Sequence, residues 1–353
     1  MNNSSTSNSE FKRFIAKMAF RLAILAALCT LVFYIPLSRE YYFSVLKYSD
    51  YSKISWIENK LNQTESLDST VVFVGSSICM NGINDSLLNA LDTTSTQYLN
   101  LGMTHTCFAI IDALLEDMLE RRELRPKKVL LCFKGDAMAR YIHTMYPVQA
   151  TPNHIQSSAL AYNTQYVPSF LKRVSWNVHA LTQFGKYIPK DEEKEFTSSY
   201  GFKPQPYNSK EKVEKSYKNL RSGSEANFNA IQGENEGRML PLKSQVLLAY
   251  TDVTQNVLFQ RAMFARSARR LDELNIPYDI IVYPNLVSAR MEKKGIMANY
   301  IKRTFTTIDY SKHDVITFSD TAFANAKYYV DMNHLNPDGA ELLTKTIYNE
   351  FHP

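Results

Sequence analysis

Two adjacent serines, Ser76 and Ser77, are the first residues in this sequence that could do chemistry. They follow Gly75 and the apolar run 71–74, which predicts a short buried strand of a parallel sheet. Ligands of open α/β sheets bind outside the carboxyl ends of such strands, so a hydroxyl group at this position is a candidate nucleophile. The pattern also fits a turn and a helix cap without chemistry, because a serine oxygen readily accepts a hydrogen bond from a first-turn amide.

Asp331 and His334 form the second candidate site, three residues apart in a loop before the last predicted helix. Asn336 is a suitable cap for that helix, and Pro337 fits its first position. In such a turn the carboxylate can accept from one imidazole nitrogen while the other faces outward, as a histidine general base requires. Taken alone, the loop also fits a solvated histidine or a metal site. The chain offers no clear third metal ligand, so we expect neither a metal nor another cofactor.

Short apolar runs alternate with helical patterns, which is typical of a parallel sheet with crossover helices. Runs of β-branched and aromatic residues predict strands at 71–74, 98–102, 128–133, 278–283 and 315–318. Apolar residues at helical spacing predict helices at 78–88, 108–119 and 253–274, and one that follows Asn336. The expected fold class is therefore α/β with a central parallel sheet.

The middle of the chain, residues 141–250, interrupts this alternation. It is aromatic at first and then polar from 190 to 243, with little periodicity. We interpret it as an insertion or lid built on the sheet. The expected layout is a cytoplasmic tail (1–13), a transmembrane signal anchor (14–37), a juxtamembrane segment (38–70) and a domain that contains the insertion (71–353).

The anchor is predicted from an apolar run at 14–37, which is long enough to cross about 30 Å of hydrocarbon as a helix. Four basic residues accompany its amino-terminal half, namely Lys12, Arg13, Lys17 and Arg21. Because positive flanks stay on the cytoplasmic side, the domain should lie outside the cytoplasm, in the periplasm or at the cell surface. A cleaved signal peptide is the rival interpretation, but no small-x-small cleavage site follows the run.

Composition excludes several other classes of protein. With 45% hydrophobic residues the chain can form a sizeable core, so global disorder is excluded. The net charge of +5 is spread among interleaved acidic residues and forms no basic arm, so we expect no nucleic-acid partner. The four cysteines form neither a disulfide framework nor a metal-binding pattern. A bridge between Cys79 and Cys107 is conceivable, because both should lie near strand ends, but nothing in the sequence indicates it.

Together, the turn at residues 75–77 and the loop from Asp331 to His334 resemble the SGNH/GDSL hydrolase superfamily. That family has a Gly-x-Ser turn after its first strand and an Asp-x-x-His loop before its last helix. The resemblance implies a flavodoxin-like, three-layer α/β/α fold with Ser77 as the nucleophile and with His334 and Asp331 as its catalytic partners. It extends over about 71–140 and 250–352.

The two inner motifs of that family differ in this chain. Aligning Asn100 with the family's second motif puts His105 where a glycine amide donates to the oxyanion, with Gly102 three residues earlier. In the third motif Gly135 replaces the asparagine donor. Losing one oxyanion donor costs on the order of 3 kcal/mol of transition-state stabilisation. The groups that could replace it are Lys134, His105 and Arg140.

One amino-terminal span before an SGNH-like domain is similar to the proteins of D-alanyl-lipoteichoic acid synthesis and of alginate or cellulose O-acetylation. This likeness implies an acyl ester or surface polysaccharide as substrate and a membrane-bound O-acyltransferase as partner. We therefore expect a membrane-anchored serine esterase or O-acyltransferase that modifies glycans of the cell envelope. The alternative is a degenerate, non-catalytic relative that binds glycan or scaffolds a membrane O-acyltransferase.

Overall fold

A sheet of five parallel strands forms the centre of the protein, as the sequence predicted. The computed structural model describes residues 4–35, 52–103, 106–133, 174, 177–178, 181, 202, 205–218, 255–286, 289, 296–318 and 321–351. The strands are β1 (Thr70–Val74), β2 (Gln97–Asn100), β3 (Lys128–Phe133), β4 (Tyr278–Val282) and β5 (Val315–Thr317). They lie in the order β2-β1-β3-β4-β5. The direction of winding therefore reverses between β1 and β3, where sheets of this type bind ligands.

The labelled helices of the described chain are α1 (Ser4–Phe33), α2 (Ser52–Asn62), α3 (Ser77–Gly82), α4 (Asp85–Leu91), α5 (Phe108–Glu116), α6 (Gln255–Glu273), α7 (Ile296–Thr304) and α8 (Pro337–Phe351). The expected helix at 78–88 is two helices instead. Asn84 starts the second one, because its side chain accepts a hydrogen bond from the Leu87 amide. The helices expected at 108–119 and 253–274 and the helix after Asn336 are present with similar bounds, and α5 continues into a π-helical turn.

Helices cover both faces of the sheet, so alternate residues of β1 enter different cores. Val72 and Val74 pack with α2, α5, α6 and α7, and we call this side the α6 face. Val71 and Phe73 pack with α3, α4 and α8, which form the α8 face. Burial on both faces explains why the strands are continuous apolar runs rather than alternating patterns.

Side chains close the outer edge of β2, where a strand would otherwise present free backbone groups. The Tyr98 amide donates to Asn89 Oδ1, and Asn89 Nδ2 donates to the Tyr98 carbonyl, at 2.8 and 3.0 Å. Two residues further along β2, the Asn100 amide donates to Asp85 Oδ2, and Lys53 Nζ donates to the Asn100 carbonyl, both at 2.9 Å. Pairing of this edge with another chain is thereby blocked.

The segment 38–70, expected to be juxtamembrane, contributes to the folded domain. Its helix α2 buries Ile54, Ile57 and Leu61 in the core of the α6 face. The hydrophobic core thus includes residues that precede β1.

The amino-terminal helix α1 is apolar over Glu10–Phe33, and most of its side chains there are exposed, although Phe33 is buried. Its 24 residues span about 36 Å at 1.5 Å per residue. Among the helices that the structure describes, it is the one that is long and apolar enough to cross a membrane.

Of the predicted insertion at 141–250, the structure describes residues 205–218 and a few isolated positions. Residues 210–218 are helical, and Val213 is buried in the core of the α8 face. The rest of the insertion lies outside the described residues.

Candidate active site

The turn after β1 presents Ser77 at the carboxyl edge of the sheet. β1 ends at Val74, and Ser77 is the first residue of α3, with Ser76 at the capping position. The Ser76 carbonyl accepts the first helical hydrogen bond, from the Met80 amide at 3.0 Å. The first amides of a helix have no partner within it, so the Ser77 amide and hydroxyl start at the same exposed end.

Gly75 allows α3 to lie close to β3. A Cβ atom on this residue would be 2.6 Å from Cys132 Cβ and 2.7 Å from Cys79 Cβ, distances that real Cβ atoms do not show. A larger residue would therefore push α3, and with it Ser77, away from the sheet.

A tight hairpin carries the acidic residue and the histidine. Tyr329 and Leu335 form an isolated antiparallel bridge at its base, and the Val330 amide donates to the His334 carbonyl at 2.9 Å. The Leu286 amide, just after β4, donates to a carbonyl at its tip at 3.1 Å. The hairpin is thus attached to the same edge of the sheet as Ser77.

Ser77, His334 and Asp331 are joined by a chain of short contacts. Ser77 Oγ lies 2.9 Å from His334 Nε2. On the other side of the ring, His334 Nδ1 lies 2.9 Å from Asp331 Oδ2 and 3.2 Å from Oδ1. The geometry expected between Ser77 and His334 is present, although 257 positions separate them in the sequence. A hydroxyl, an imidazole and a carboxylate in this order can activate the hydroxyl as a nucleophile.

Asp331 is held as a carboxylate although its side chain is 53% exposed. Burial acts to raise the pKa of Asp331, but hydrogen bonds from the His334 ring and from the Asn333 and His334 amides outweigh it and lower the pKa to about 2. These two amides donate to Oδ1 at 2.7 and 2.8 Å, which leaves Oδ2 for the ring. The carboxylate is therefore charged and fixed in orientation at neutral pH.

The sequence predicts that the Ser76 side chain is a structural hydrogen-bond partner of the neighbouring loops. Its hydroxyl is buried, and it has no hydrogen-bond partner among the residues that the structure describes. It makes no capping hydrogen bond to α3 either. Residues 104–105 and 134–140 lie outside the described residues, so this expectation stays a prediction.

The second candidate motif is organised by Asn100, whose side chain is fully buried. Its Nδ2 donates to the Cys79 and Ile83 carbonyls, and its Oδ1 accepts from the Gly102 amide at 2.8 Å. The Gly102 amide is therefore occupied and does not point to a ligand. A Cβ on Gly102 would lie 2.4 Å from the Met80 nitrogen, so this glycine allows the loop to pack against α3.

The other two predicted oxyanion residues, His105 and Gly135, lie outside the described residues, as do Lys134 and Arg140. The Met103 amide, two residues before His105, donates to the Gly75 carbonyl at 2.9 Å. The described part of that loop therefore runs beside the turn that carries Ser77.

No protein-family model matches this chain, and neither does any curated protein. The site must therefore be interpreted from its own geometry. Over the described ranges, no group of three or more His, Cys, Asp or Glu side chains is arranged to hold a metal ion. A pocket of about 370 Å³ lies at the opposite ends of β1 and β2, where Thr70 and Gln97 begin the strands, and neither Ser77 nor His334 lines it.

Asn208 contributes to this site and was not found from the sequence. Its Nδ2 donates to the Val330 carbonyl at 2.9 Å, next to Asp331. The preceding residue, Tyr207, donates from its hydroxyl to Asp338 at 2.9 Å. Both lie in the polar stretch 190–243, which has no periodicity that could mark them.

Proposed function

We propose that the protein is a membrane-anchored serine-type acyl-ester hydrolase or O-acyltransferase that acts outside the cytoplasm, with surface glycan as its substrate. The observation that carries this proposal is the contact of Ser77 Oγ with His334 Nε2 at 2.9 Å, continued by Asp331 on the other ring nitrogen. This contact lies just after β1, at the point where the winding of the sheet reverses, and that location supports a ligand site there.

In the proposed reaction His334 Nε2 takes the proton of Ser77 as the oxygen attacks an acyl carbonyl. Asp331 accepts from Nδ1 and stabilises the imidazolium that forms. The same imidazolium then returns the proton to the leaving oxygen, which gives an acyl-enzyme. Water in a hydrolase, or a sugar hydroxyl in a transferase, then attacks the acyl carbonyl while His334 Nε2 takes its proton. The bond between the acyl carbon and Ser77 Oγ breaks, and His334 returns the proton to Ser77.

The oxyanion of the tetrahedral intermediate needs hydrogen-bond donors. We assign one to the Ser77 amide, which begins a helix, and a second to the His105 amide. Gly135 has no side chain that could supply the third donor of the SGNH family. The missing donor predicts slow turnover rather than the absence of an acyl-enzyme.

The sheet order and the helices on both faces are consistent with the flavodoxin-like, three-layer fold of that family. Helix α1 and its basic flank support a single-pass anchor with the domain outside the cytoplasm. A membrane-bound O-acyltransferase is the partner that this arrangement suggests.

The second candidate is a non-catalytic SGNH-like protein that binds glycan or scaffolds such an acyltransferase. Gly135 in place of the asparagine favours it. The two candidates differ in one property, because the catalytic protein has a nucleophilic serine and the scaffold does not.

A fluorophosphonate probe tests this difference, because it reacts covalently with activated serines. We expect the full-length protein in detergent to be labelled and Ser77→Ala to be unlabelled. Ser76→Ala is the matched control, and it should keep a substantial part of the labelling. His334→Ala should lose labelling as Ser77→Ala does, and the double variant should be no worse, because members of one catalytic unit are not additive.

If the wild-type protein is not labelled at all, the catalytic proposal is wrong and the scaffold is favoured. If labelling survives in Ser77→Ala and disappears in Ser76→Ala, the nucleophile has been assigned to the wrong serine.

A further inference from the structure

Two cysteines lie together beneath the candidate nucleophile. Cys79 is in the first turn of α3, two residues after Ser77, and Cys132 is the next-to-last residue of β3. Both are free and buried, with exposed fractions of 0% and 2%. Cys107 lies on the α6 face of the sheet, whereas Cys79 and Cys132 lie on the α8 face, so the bridge from Cys79 to Cys107 that the sequence left open is not favoured.

The close approach of both cysteines to Gly75 brings their Cβ atoms together. Each Cβ lies within 2.7 Å of the point that a Cβ on Gly75 would occupy. The two Cβ atoms are therefore no further apart than these two distances added together, a range that includes the roughly 3.5–4.5 Å between the Cβ atoms of a disulfide.

The surroundings of the two thiols offer only weak alternatives to a bond between them. Cys79 Sγ is 3.6 Å from Asn100 Oδ1, and Cys132 Sγ is 3.8 Å from the Leu130 carbonyl. Burial raises the pKa of the Cys132 thiol, and the Cys79 side chain beside it adds to this effect. Since the thiolate is the reactive form, such a pair would react slowly once folded and more readily while the chain is folding.

We propose that Cys79 and Cys132 form a disulfide bond when the chain folds in an oxidising compartment, and that this bond ties the turn that carries Ser77 to β3. One S–S bond forms and two S–H bonds break. Two protons are released, and two electrons reduce a protein disulfide of the thiol–disulfide oxidoreductase class. This inference rests on the extracytoplasmic location in the proposed function.

Counting thiols in the purified full-length protein tests the bond. The chain has four cysteines, and N-ethylmaleimide adds once to each free thiol after the protein is unfolded in urea. Intact mass should show two additions, which we expect at Cys29 and Cys107, and four additions after reduction with dithiothreitol. Peptide mapping of the unreduced sample should recover the Cys79 and Cys132 peptides as one linked species.

Two variants make the assignment specific. Cys132→Ala should leave Cys29, Cys79 and Cys107 to react without reduction. Cys107→Ala is the matched control, a buried cysteine from the other face, and it should leave only Cys29 to react. Reduction should also lower the Tm of the wild type by several degrees, because the bond restricts the unfolded chain, and it should not change the Tm of Cys132→Ala.

Four additions in the unreduced wild type would overturn the inference, and so would a linked peptide pair other than Cys79 with Cys132. Fluorophosphonate labelling is measured on the same sample. Absence of labelling with the bond present counts against the catalytic proposal alone. Labelling with four free thiols counts against the disulfide alone.

Discussion

At the scale of single residues, the orientation of the Asp331 carboxylate determines how His334 can act. Two backbone amides donate to Oδ1, so Oδ2 is the oxygen that accepts from His334 Nδ1. Nδ1 must then carry the proton, which leaves Nε2 free to accept from Ser77. The direction of the whole hydrogen-bond chain is thus set by the local backbone of the hairpin.

This dependence makes Asp331→Asn an informative change. The same two amides would hold the asparagine oxygen at the Oδ1 position and turn its NH₂ group toward Nδ1. The imidazole would then carry its proton on Nε2, the wrong nitrogen for accepting from Ser77. We expect the rate of fluorophosphonate labelling to fall on the order of 10²- to 10⁴-fold, with stability little changed.

Asp338→Asn is the control for this experiment, because that exposed carboxylate lies in the first turn of α8 and accepts only from Tyr207 among its described hydrogen bonds. Its labelling rate should remain close to that of the wild type. An Asp331→Asn protein that labels at the wild-type rate would show that the carboxylate does not orient His334.

Local sequence was sufficient to predict the contact between Ser77 and His334, because each of the two motifs is contained within a few residues. The occupied amide of Gly102 and the role of Asn208 were not predictable in this way. Gly102 donates to a buried side chain two residues earlier. Asn208 contacts a carbonyl 122 positions away, and no pattern near it marks that contact.

At the scale of elements, the described part of the insertion supports the hairpin that carries Asp331 and His334. Val213 anchors residues 205–218 in the core of the α8 face, and Asn208 extends from this segment to Val330. Asn208→Ala removes a hydrogen bond with a net value of about 1 kcal/mol. If that bond positions the hairpin, labelling of Ser77 should slow about fivefold, the equivalent of about 1 kcal/mol.

Tyr207→Phe is the matched control, because it removes the neighbouring hydrogen bond to Asp338 without touching the hairpin. We expect its labelling rate to be unchanged. Thermal unfolding of both variants distinguishes a local shift of the hairpin from a general loss of stability. Equal slowing in both variants would refute a specific positioning role for Asn208.

The edge of β2 depends on a buried lysine. Lys53 is 2% exposed, donates to the Asn100 carbonyl and lies 4.1 Å from the centre of the Trp56 ring. Burial raises the pKa of the nearby Asp85, and the charge of Lys53 opposes this effect. Lys53→Met would leave the Asp85 carboxyl and the Asn100 carbonyl without the lysine cation, so the free energy of unfolding should fall by about 3 kcal/mol.

Urea unfolding of the full-length protein measures this loss. Lys60→Met, an exposed change on the same helix, should alter the free energy of unfolding by no more than about 0.5 kcal/mol. Adding Asp85→Asn to Lys53→Met should restore part of the loss, because the buried negative charge that has lost its neighbouring cation is then removed. Strictly additive losses in the double variant would argue against this coupling.

The strands were predictable because a sheet buried on both faces requires continuous apolar runs, and β1 and β3 have them. Helix bounds were less predictable where helical spacing of apolar residues competed with residues that end or cap a helix. Residues 78–88 have helical spacing throughout, yet Gly82 and the capping residue Asn84 divide them into α3 and α4. The contribution of α2 to the core was not anticipated, since the domain was expected to begin with β1.

At the scale of the whole molecule, the order of the strands brings the two halves of the site together. The serine follows β1, near the middle of the sheet, and the hairpin of His334 is attached just after β4 through the Leu286 amide. All five strands are parallel, so both chain segments leave the sheet at the same edge. The long separation in sequence follows from this topology.

The proposed function places α1 in the membrane and the domain outside the cytoplasm. Helix α1 is apolar over a length of about 36 Å, and the basic residues of that stretch are confined to its amino-terminal half. The protein should therefore remain in the membrane fraction after carbonate extraction. Protease added from outside should digest the domain and leave the amino-terminal tail protected. A mature amino terminus near residue 38 would instead show that the segment is a cleaved signal peptide and that the domain is released.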